Sequence, residues 1–293
     1  MANGLVVVTG GSRGIGEQVA LASARAGHDV VLGFVSDKNE ALAHDVASRV
    51  SEIGRAALVI QADLADPAAR FSFAAKANVF ARERELPWST LVLNAANGMG
   101  QGIEAARAIN TVGSIHLAAL FMTHTLGQDE KVQRNVVYIT SNPSHFWGHP
   151  KNVMPDVKYN PVAESKFEAE EGLRSMLVDE NDGSRPRILV ATSDLVEGTG
   201  GERSLGVAYM KLKGTRIANF TADRNAQLGE LIGRGVASAE EFGGAIVSLF
   251  QNEELPNGHM LYLLPPVLGD YIVPVSELPF GLGADPTMYT FVA

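Results

Sequence analysis

A chain of 293 residues is long enough for one large domain or two small ones, and with 46% apolar residues it can fill a substantial core. No apolar run approaches a membrane span, the start lacks the basic stretch, apolar core and cleavage site of a secretory signal, and the absence of cysteine excludes disulfides, thiolate catalysis and cysteine–zinc sites. A net charge of −9 argues against broad nucleic-acid binding, which needs basic surface to displace counterions, and says little about a small substrate. We expect a cytoplasmic protein with a small-molecule partner and no nucleic-acid or membrane partner.

The apolar run Leu5-Val6-Val7-Val8 leads straight into Thr9-Gly10-Gly11-Ser12-Arg13-Gly14-Ile15-Gly16. A short β-branched run ending in such a loop predicts a first strand turning into a helix. The glycines let the backbone bend tightly and approach a pyrophosphate, and the helix would point its N-terminal N–H groups at that anion. Short apolar strands then alternate with helical patterns. Strands are predicted over 5–9, 30–35, 57–61, 91–94, 135–140, 188–192 and 260–264. Helices are predicted over 16–26, 38–53, 67–80, 104–125, 161–178 and 238–251. This alternation implies βαβ units and a parallel sheet. No linker separates two composition regimes, and there is no internal repeat, so one domain over 1–293 is expected. Residues 198–234 read as an insertion and 265–293 as a Pro- and Gly-rich tail.

Thr9, Gly10, Gly14 and Gly16, with three residues between Gly10 and Gly14, resemble the short-chain dehydrogenase/reductase family over about residues 4–264. The resemblance implies an α/β fold: a Rossmann-type, doubly wound, mainly parallel seven-stranded sheet with helices on both faces. It also implies a nicotinamide dinucleotide held by Gly10, Ser12, Arg13, Gly14, Ile15 and Gly16. An acidic residue at the end of the second strand would hydrogen-bond a free ribose 2′-hydroxyl, but Phe34 stands near that position. Arg13 can meet a 2′-phosphate as a bidentate donor, with Ser36 or Lys38 helping, which favours NADP(H). The other reading leaves Arg13 a solvated loop cation and puts Asp37 on the ribose. The family places an Asp and an aliphatic residue against the adenine, which points to Asp63 and Leu64; Asp63 equally caps the helix near Pro67 or ends its strand. Asn94 and Ala95, in Asn94-Ala95-Ala96-Asn97, match in part the segment that runs along the cofactor, with Asn94 tying neighbouring strands.

Family members reduce a carbonyl with a Tyr proton donor and a Lys four residues later, a Ser on the preceding strand end and a relay Asn. Ser141, Lys166 and Asn110 are the candidates here, while Val162 stands four residues before Lys166. Tyr159 is the substitute. Asn160-Pro161 reads as a helix start, with Asn at the N-cap and Pro at the first helical position, so Tyr159 is expected in the loop before it. From there it either bends back over the nicotinamide or packs as a hydrophobic staple. The stretch from Ser141 to Lys166 is longer than the family's usual interval, and that from Asn94 to Asn110 is shorter. In the enlarged loop Phe146 and Trp147 are candidates for a substrate pocket, and His145 for a proton donor near neutral pH, the alternatives being satellite core and a surface histidine. His145 and His149 lie between prolines with no third ligand, so no metal site is expected. After the sixth strand Pro-Gly is absent, and Thr199 or Ser193 is left to contact the carboxamide. The following insertion, with Tyr209, Met210 and Phe220 among Lys211, Lys213 and Arg216, resembles the family's substrate lid; as charge pattern it is a solvated helix face.

These residues predict an NADP(H)-dependent, ketoreductase-like oxidoreductase acting on a carbonyl/alcohol pair, with a polyketide or other bulky secondary metabolite as the suggested substrate. A non-enzymatic NADP(H)-binding sensor, and a lyase, dehydratase or epimerase on the same fold, stay open. The helices over 104–125 and 161–178 match those of the family's dimer interface, so a homo-oligomer, dimer or tetramer, is expected; Ala118, Ala119, Phe121 and Met122 either contribute to it or face only the sheet.

Overall fold

Alternation along the strands builds the core. Leu5 and Val7 of β1 (Leu5–Val8) face one side of the sheet, and Val6 and Val8 face the other, all fully buried. Further strands follow in chain order: β2 (Asp29–Phe34), β3 (Ala57–Gln61), β4 (Trp88–Leu93), β5 (Asn135–Ile139), β6 (Arg187–Thr192), β7 (Met260–Tyr262) and β8 (Tyr289–Phe291). They form one parallel sheet in the order β8-β7-β6-β5-β4-β1-β2-β3. The order reverses between β1 and β4, and ligands of such sheets bind beyond the carboxyl ends of the strands at that switch. The structure, a computed structural model, describes residues 4–97, 99–123, 133–152, 157–177, 186–199, 202–203 and 217–292.

Helices α1 (Gly14–Arg25), α2 (Glu40–Glu52) and, near the C-terminus, α9 (Ala239–Gln251) cover one face. Helices α3 (Pro67–Glu83), α5 (Ser114–Thr123) and α7 (Asn160–Ser175) cover the other. The remaining helices are the short α4 (Ile103–Arg107) and α6 (Asn142–His145), and α8 (Ile217–Ile232). Among the described residues no helix is long and apolar enough to cross a membrane.

Two expectations change. The sheet has eight strands, because the Pro- and Gly-rich tail supplies β8, pairing in parallel with β7. His259 anchors it through Thr287 O (2.9 Å) and Thr290 Oγ1 (3.0 Å), contacts that no local pattern announces. The helix predicted over 104–125 is broken into α4, a π-helical turn Ala108–Gly113 and α5, with residues 124 and 125 outside the described residues. A Cβ on Gly113 would lie 2.9 Å from Leu64 O, so the turn lets the backbone pass close to that loop. Ala118 and Phe121 are buried within this chain, facing the sheet, while Ala119 and Met122 are half-buried.

Candidate functional site

A cavity of about 760 Å³ opens at the carboxyl ends of the central strands. Its first wall is backbone. Gly10 (φ +65°) and Gly14 (φ +58°) take left-handed conformations that only glycine adopts freely. Gly16 lies beneath the cavity: a Cβ there would fall 2.2 Å from Gly10 O, so α1 could not pack against the loop. Asn94 clamps the same loop, its Nδ2 donating to Thr9 O and Gly10 O at 3.0 Å each. Thr9 Oγ1 accepts the N–H groups of Asn94 (2.9 Å) and Ala95 (3.0 Å). Ser12, Arg13, Gly14, Ile15, Phe34, Asn94 and Ala95 all line the cavity beside the first turn of α1. Arg13 is exposed and makes no ion pair among the described residues.

Ser36 stands outside the lining, although Val35 and Asn39 belong to it. Its Oγ accepts Lys38 N at 3.3 Å and caps a short turn, Asp37–Asn39. Asp37 is held by Gln61 Nε2 at 2.6 Å, at the end of β3. Asp63 and Leu64 also fall outside. Asp63 accepts Ala65 N (2.9 Å) in its own turn, Asp66 rather than Asp63 caps α3, and Leu64 is buried in the core. The loop after β3 curls into these local bonds and turns both side chains away.

The chemistry gathers at β5 and α7. Ser141 follows β5, and its Oγ shares hydrogen bonds with Ser144 Oγ (2.8 Å) and the Tyr159 hydroxyl (2.9 Å). Tyr159 ends a 3₁₀ turn, Val157–Tyr159, that runs directly into α7. The predicted cap fails: Asn160 belongs to the helix and its Oδ1 is buried without a partner among the described residues. The near-helical turn, in place of a loop, aims the phenol at Ser141. Burial raises the Tyr159 phenol above its ordinary value, while the hydrogen bonds with Ser141 and Ser144 oppose that rise. Lys166 lines the same cavity, and burial lowers its ammonium to about 8 against the opposing charge of Glu170.

Asn110 does not reach the cavity. It is buried in the π-helical turn, with its amide spent on Asn97 N (3.0 Å), Asn97 O (2.8 Å) and Ser165 Oγ (2.9 Å). It therefore braces the Asn97 backbone and α7. The expected pocket residues His145, Phe146 and Trp147 do not line the cavity either. Pro143 starts a single helical turn immediately after Ser141, and that turn drives His145 and Phe146 into the core. His145 Nδ1 donates to the Glu170 carboxylate (2.9 Å), and its Nε2 pairs with the Tyr262 hydroxyl (2.7 Å). Burial alone would raise the Glu170 carboxyl; His145 and Arg174 together hold it below its ordinary value.

Beyond β6, the buried Ser193 Oγ has no partner among the described residues, nor has the buried Thr140 Oγ1 at the end of β5; both residues line the cavity. Thr199 lines it as well, donating to Val196 O at 2.7 Å. Of the expected lid, Phe220 of α8 reaches the cavity, whereas Tyr209, Met210, Lys211, Lys213 and Arg216 lie outside the described residues. Sequence reasoning missed Asn152, Asp194, Arg224 and Gln227, which also line it. Arg224 and Gln227 stand three apart on α8 and so share a face, but nothing local shows that the face meets a ligand. No group of His, Cys, Asp and Glu among the described residues could hold a metal ion.

A sequence model described as short chain dehydrogenase matches residues 4–149. An L-rhamnose 1-dehydrogenase (NADP(+)) of Thermoplasma acidophilum is 38% identical over 71 residues, covering 24% of this chain and 27% of that protein, about a quarter of its length. Among solved structures, a short-chain type dehydrogenase/reductase from Mycobacterium marinum superposes with a TM-score of 0.66 at 18% identity, covering 92% of this chain and 96% of that one. An alcohol dehydrogenase from the archaeon Thermococcus sibiricus, complexed with 5-hydroxy-NADP, gives 0.61 at 19% identity, with 89% and 95% covered. A 3-oxoacyl (acyl-carrier-protein) reductase from Agrobacterium tumefaciens with NADP bound gives 0.60 at 20% identity, with 84% and 86% covered. At these identities the structural likeness is one of fold.

Proposed function

Because the chain belongs to the short-chain dehydrogenase/reductase family, we propose that it is an NADP(H)-dependent oxidoreductase acting on a carbonyl/alcohol pair. The observation that carries this reading is the 2.9 Å contact between the Tyr159 hydroxyl and Ser141 Oγ in a cavity that Lys166 also lines. The residues present fit a nicotinamide dinucleotide. The left-handed glycines, the N-terminus of α1 and two buried hydroxyls, on Thr140 and Ser193, that have no partner among the described residues border one space. Arg13, exposed at the start of α1, would meet a 2′-phosphate, and the names of the rhamnose dehydrogenase and of two structural relatives carry NADP.

When bound, that cofactor supplies or accepts the hydride. The chain's own residues do the rest. Ser141 and Tyr159 hold the substrate oxygen between their hydroxyls, and Ser144 fixes Ser141. Burial keeps Tyr159 protonated at neutral pH, the state needed to donate a proton to the oxygen during reduction. Lys166 lines the cavity on the next turns of α7, where its ammonium would hold the ribose. A pure binding protein has no use for a hydroxyl pair at this place, which favours the enzyme reading. The expectation of a bulky secondary metabolite loses its support, since Phe146 and Trp147 do not line the cavity.

Tyr159→Phe is the test. We expect kcat to fall by about a hundredfold or more while the Kd for NADPH stays within about twofold. Unchanged turnover would remove Tyr159 as the proton donor.

A further inference from the structure

The wall formed by α8, the loop after β6 and the C-terminal segment is organised by one side chain. A guanidinium has five N–H donors, and Arg224 spends all of them. Its Nε and Nη2 grip the two oxygens of Asp194 at 2.9 and 2.5 Å. The second Nη2 proton goes to Val267 O at 3.3 Å, and Nη1 donates to Gln227 Oε1 (2.5 Å) and Gly269 O (3.0 Å). Arg224 thus has no donor left for a ligand, and its charge is matched by a carboxylate that is itself largely buried. Glu202 adds a second carboxylate to the lining, accepting Gly198 N at 2.7 Å and Thr221 Oγ1 at 2.6 Å. Apart from Arg13 and Lys166, which would hold the cofactor, the described lining offers no free cation.

What the lining does offer is two oriented carboxamides, Gln227 on this wall and Asn152 in the loop after β5. The Arg224 bond takes the oxygen of Gln227, so its Nε2 hydrogens remain as donors with no partner among the described residues. Asn152 is fixed the opposite way. Its Nδ2 gives both hydrogens to backbone carbonyls, Pro143 O at 2.8 Å and Phe146 O at 2.9 Å, so Oδ1 remains as an acceptor. Asn152 holds the loop that begins at Ser141, and Asn152, Ser141 and Tyr159 line the same cavity. A free acceptor calls for a hydroxyl or N–H on the ligand, and a free donor calls for an oxygen. Hydroxyl groups satisfy both, whereas an anion would meet the Asp194 and Glu202 carboxylates and find no further free cation in the described lining to offset them.

We propose that the site takes an uncharged carbonyl compound bearing hydroxyl groups, of the ketose or aldose and polyol kind, with one hydroxyl donating to Asn152 Oδ1 and another accepting from Gln227 Nε2. Arg224 acts as a positioning residue that aims Gln227. This substrate class rests on the oxidoreductase reading above.

The test is NADPH oxidation with matched four- and five-carbon ketones: erythrulose and xylulose, butanone and 2-pentanone, acetoacetate and levulinate. We expect kcat/KM for the hydroxylated pair to exceed that of the unsubstituted pair by about tenfold or more, with the carboxylates slowest. Gln227→Glu, which keeps the oxygen that Arg224 needs but removes the donor, should erode that preference by about tenfold through KM and leave the Kd for NADPH unchanged. A lead for the unsubstituted or carboxylated ketones overturns this inference and leaves the oxidoreductase reading standing. A preserved preference in Gln227→Glu removes Gln227 from the assignment. NADPH binding without turnover of any ketone, or of the matching alcohols with NADP⁺, overturns the oxidoreductase reading and this inference with it.

Discussion

The two sides of the cavity are built from different materials. The β1–α1 side is made of backbone: helix and loop meet so closely that a Cβ on Gly16 would stand 2.2 Å from Gly10 O. The α8 side is made of side chains: Arg224 joins Asp194, thirty residues earlier, to carbonyls at Val267 and Gly269. A backbone site constrains which residue types can stand in one short segment. A side-chain site distributes its constraint over segments that are far apart and individually ordinary. The first can be read from a string of residues; the second exists only once the chain has folded.

Substitutions can break this contrast. The largest expected effect is Gly16→Ala, because neither a backbone carbonyl nor the clamped Asn94 Nδ2, 2.6 Å from the added carbon, can give way. Urea denaturation should show a loss of about 3 kcal/mol, or no folded protein. The α8 counterpart is Gly229, where an added Cβ meets nothing within 4 Å.

Lys166→Met comes next. Folding lowers this ammonium from its ordinary 10.5 to about 8, chiefly by burial. Below pH 8 the folded chain carries a buried charge that the unfolded chain keeps in water, so the cost is full there. It disappears as pH rises toward 10.5, where both states are neutral. The variant should therefore gain on the order of 2 kcal/mol near neutral pH, with the gain fading above pH 8, while its Kd for NADPH rises. A destabilised variant at neutral pH would contradict the burial cost. For the wild type, the same titration should weaken NADPH binding as pH rises through about 8.

Arg13→Ala should raise the Kd for NADPH about tenfold and leave that for NADH nearly unchanged, measured by fluorescence titration. Equal losses for both cofactors would remove Arg13 from the 2′-phosphate. The smallest effect belongs to Gly229→Ala, which should stabilise by roughly 1 kcal/mol, since α8 gains helix propensity at no steric cost. A loss there as large as at Gly16 would erase the distinction between the two sides.

Much of the fold was legible because its signals are short-range. The β-branched runs, the glycine loop and the helical periods each occupy a few residues, and β1 to β7 formed where those signals lay. Strand β8 was not legible, because its pairing depends on His259 reaching Thr290 across the chain. Ser141 and Lys166 were found through the family resemblance, and both line the cavity. Asp63, Leu64 and Ser36 were placed by analogy of position, and local turn bonds redirected them. His145 carried a catalytic residue's chemistry, but its surroundings made it a buried partner of Glu170.

The amino-acid sequence by itself determined the parallel α/β plan and the glycine cradle, because strand burial and left-handed turns act through the residues that carry them. Tertiary structure alone decided that the Tyr159 hydroxyl meets Ser141, that Asn110 braces Asn97, and that opposite amide ends of Asn152 and Gln227, two residues lining one cavity, are taken by their neighbours. Each of these is a hydrogen bond whose direction depends on what packing has already consumed. A side chain's free donor or acceptor is what remains after its neighbours have taken their share, and those neighbours are assembled only by the fold.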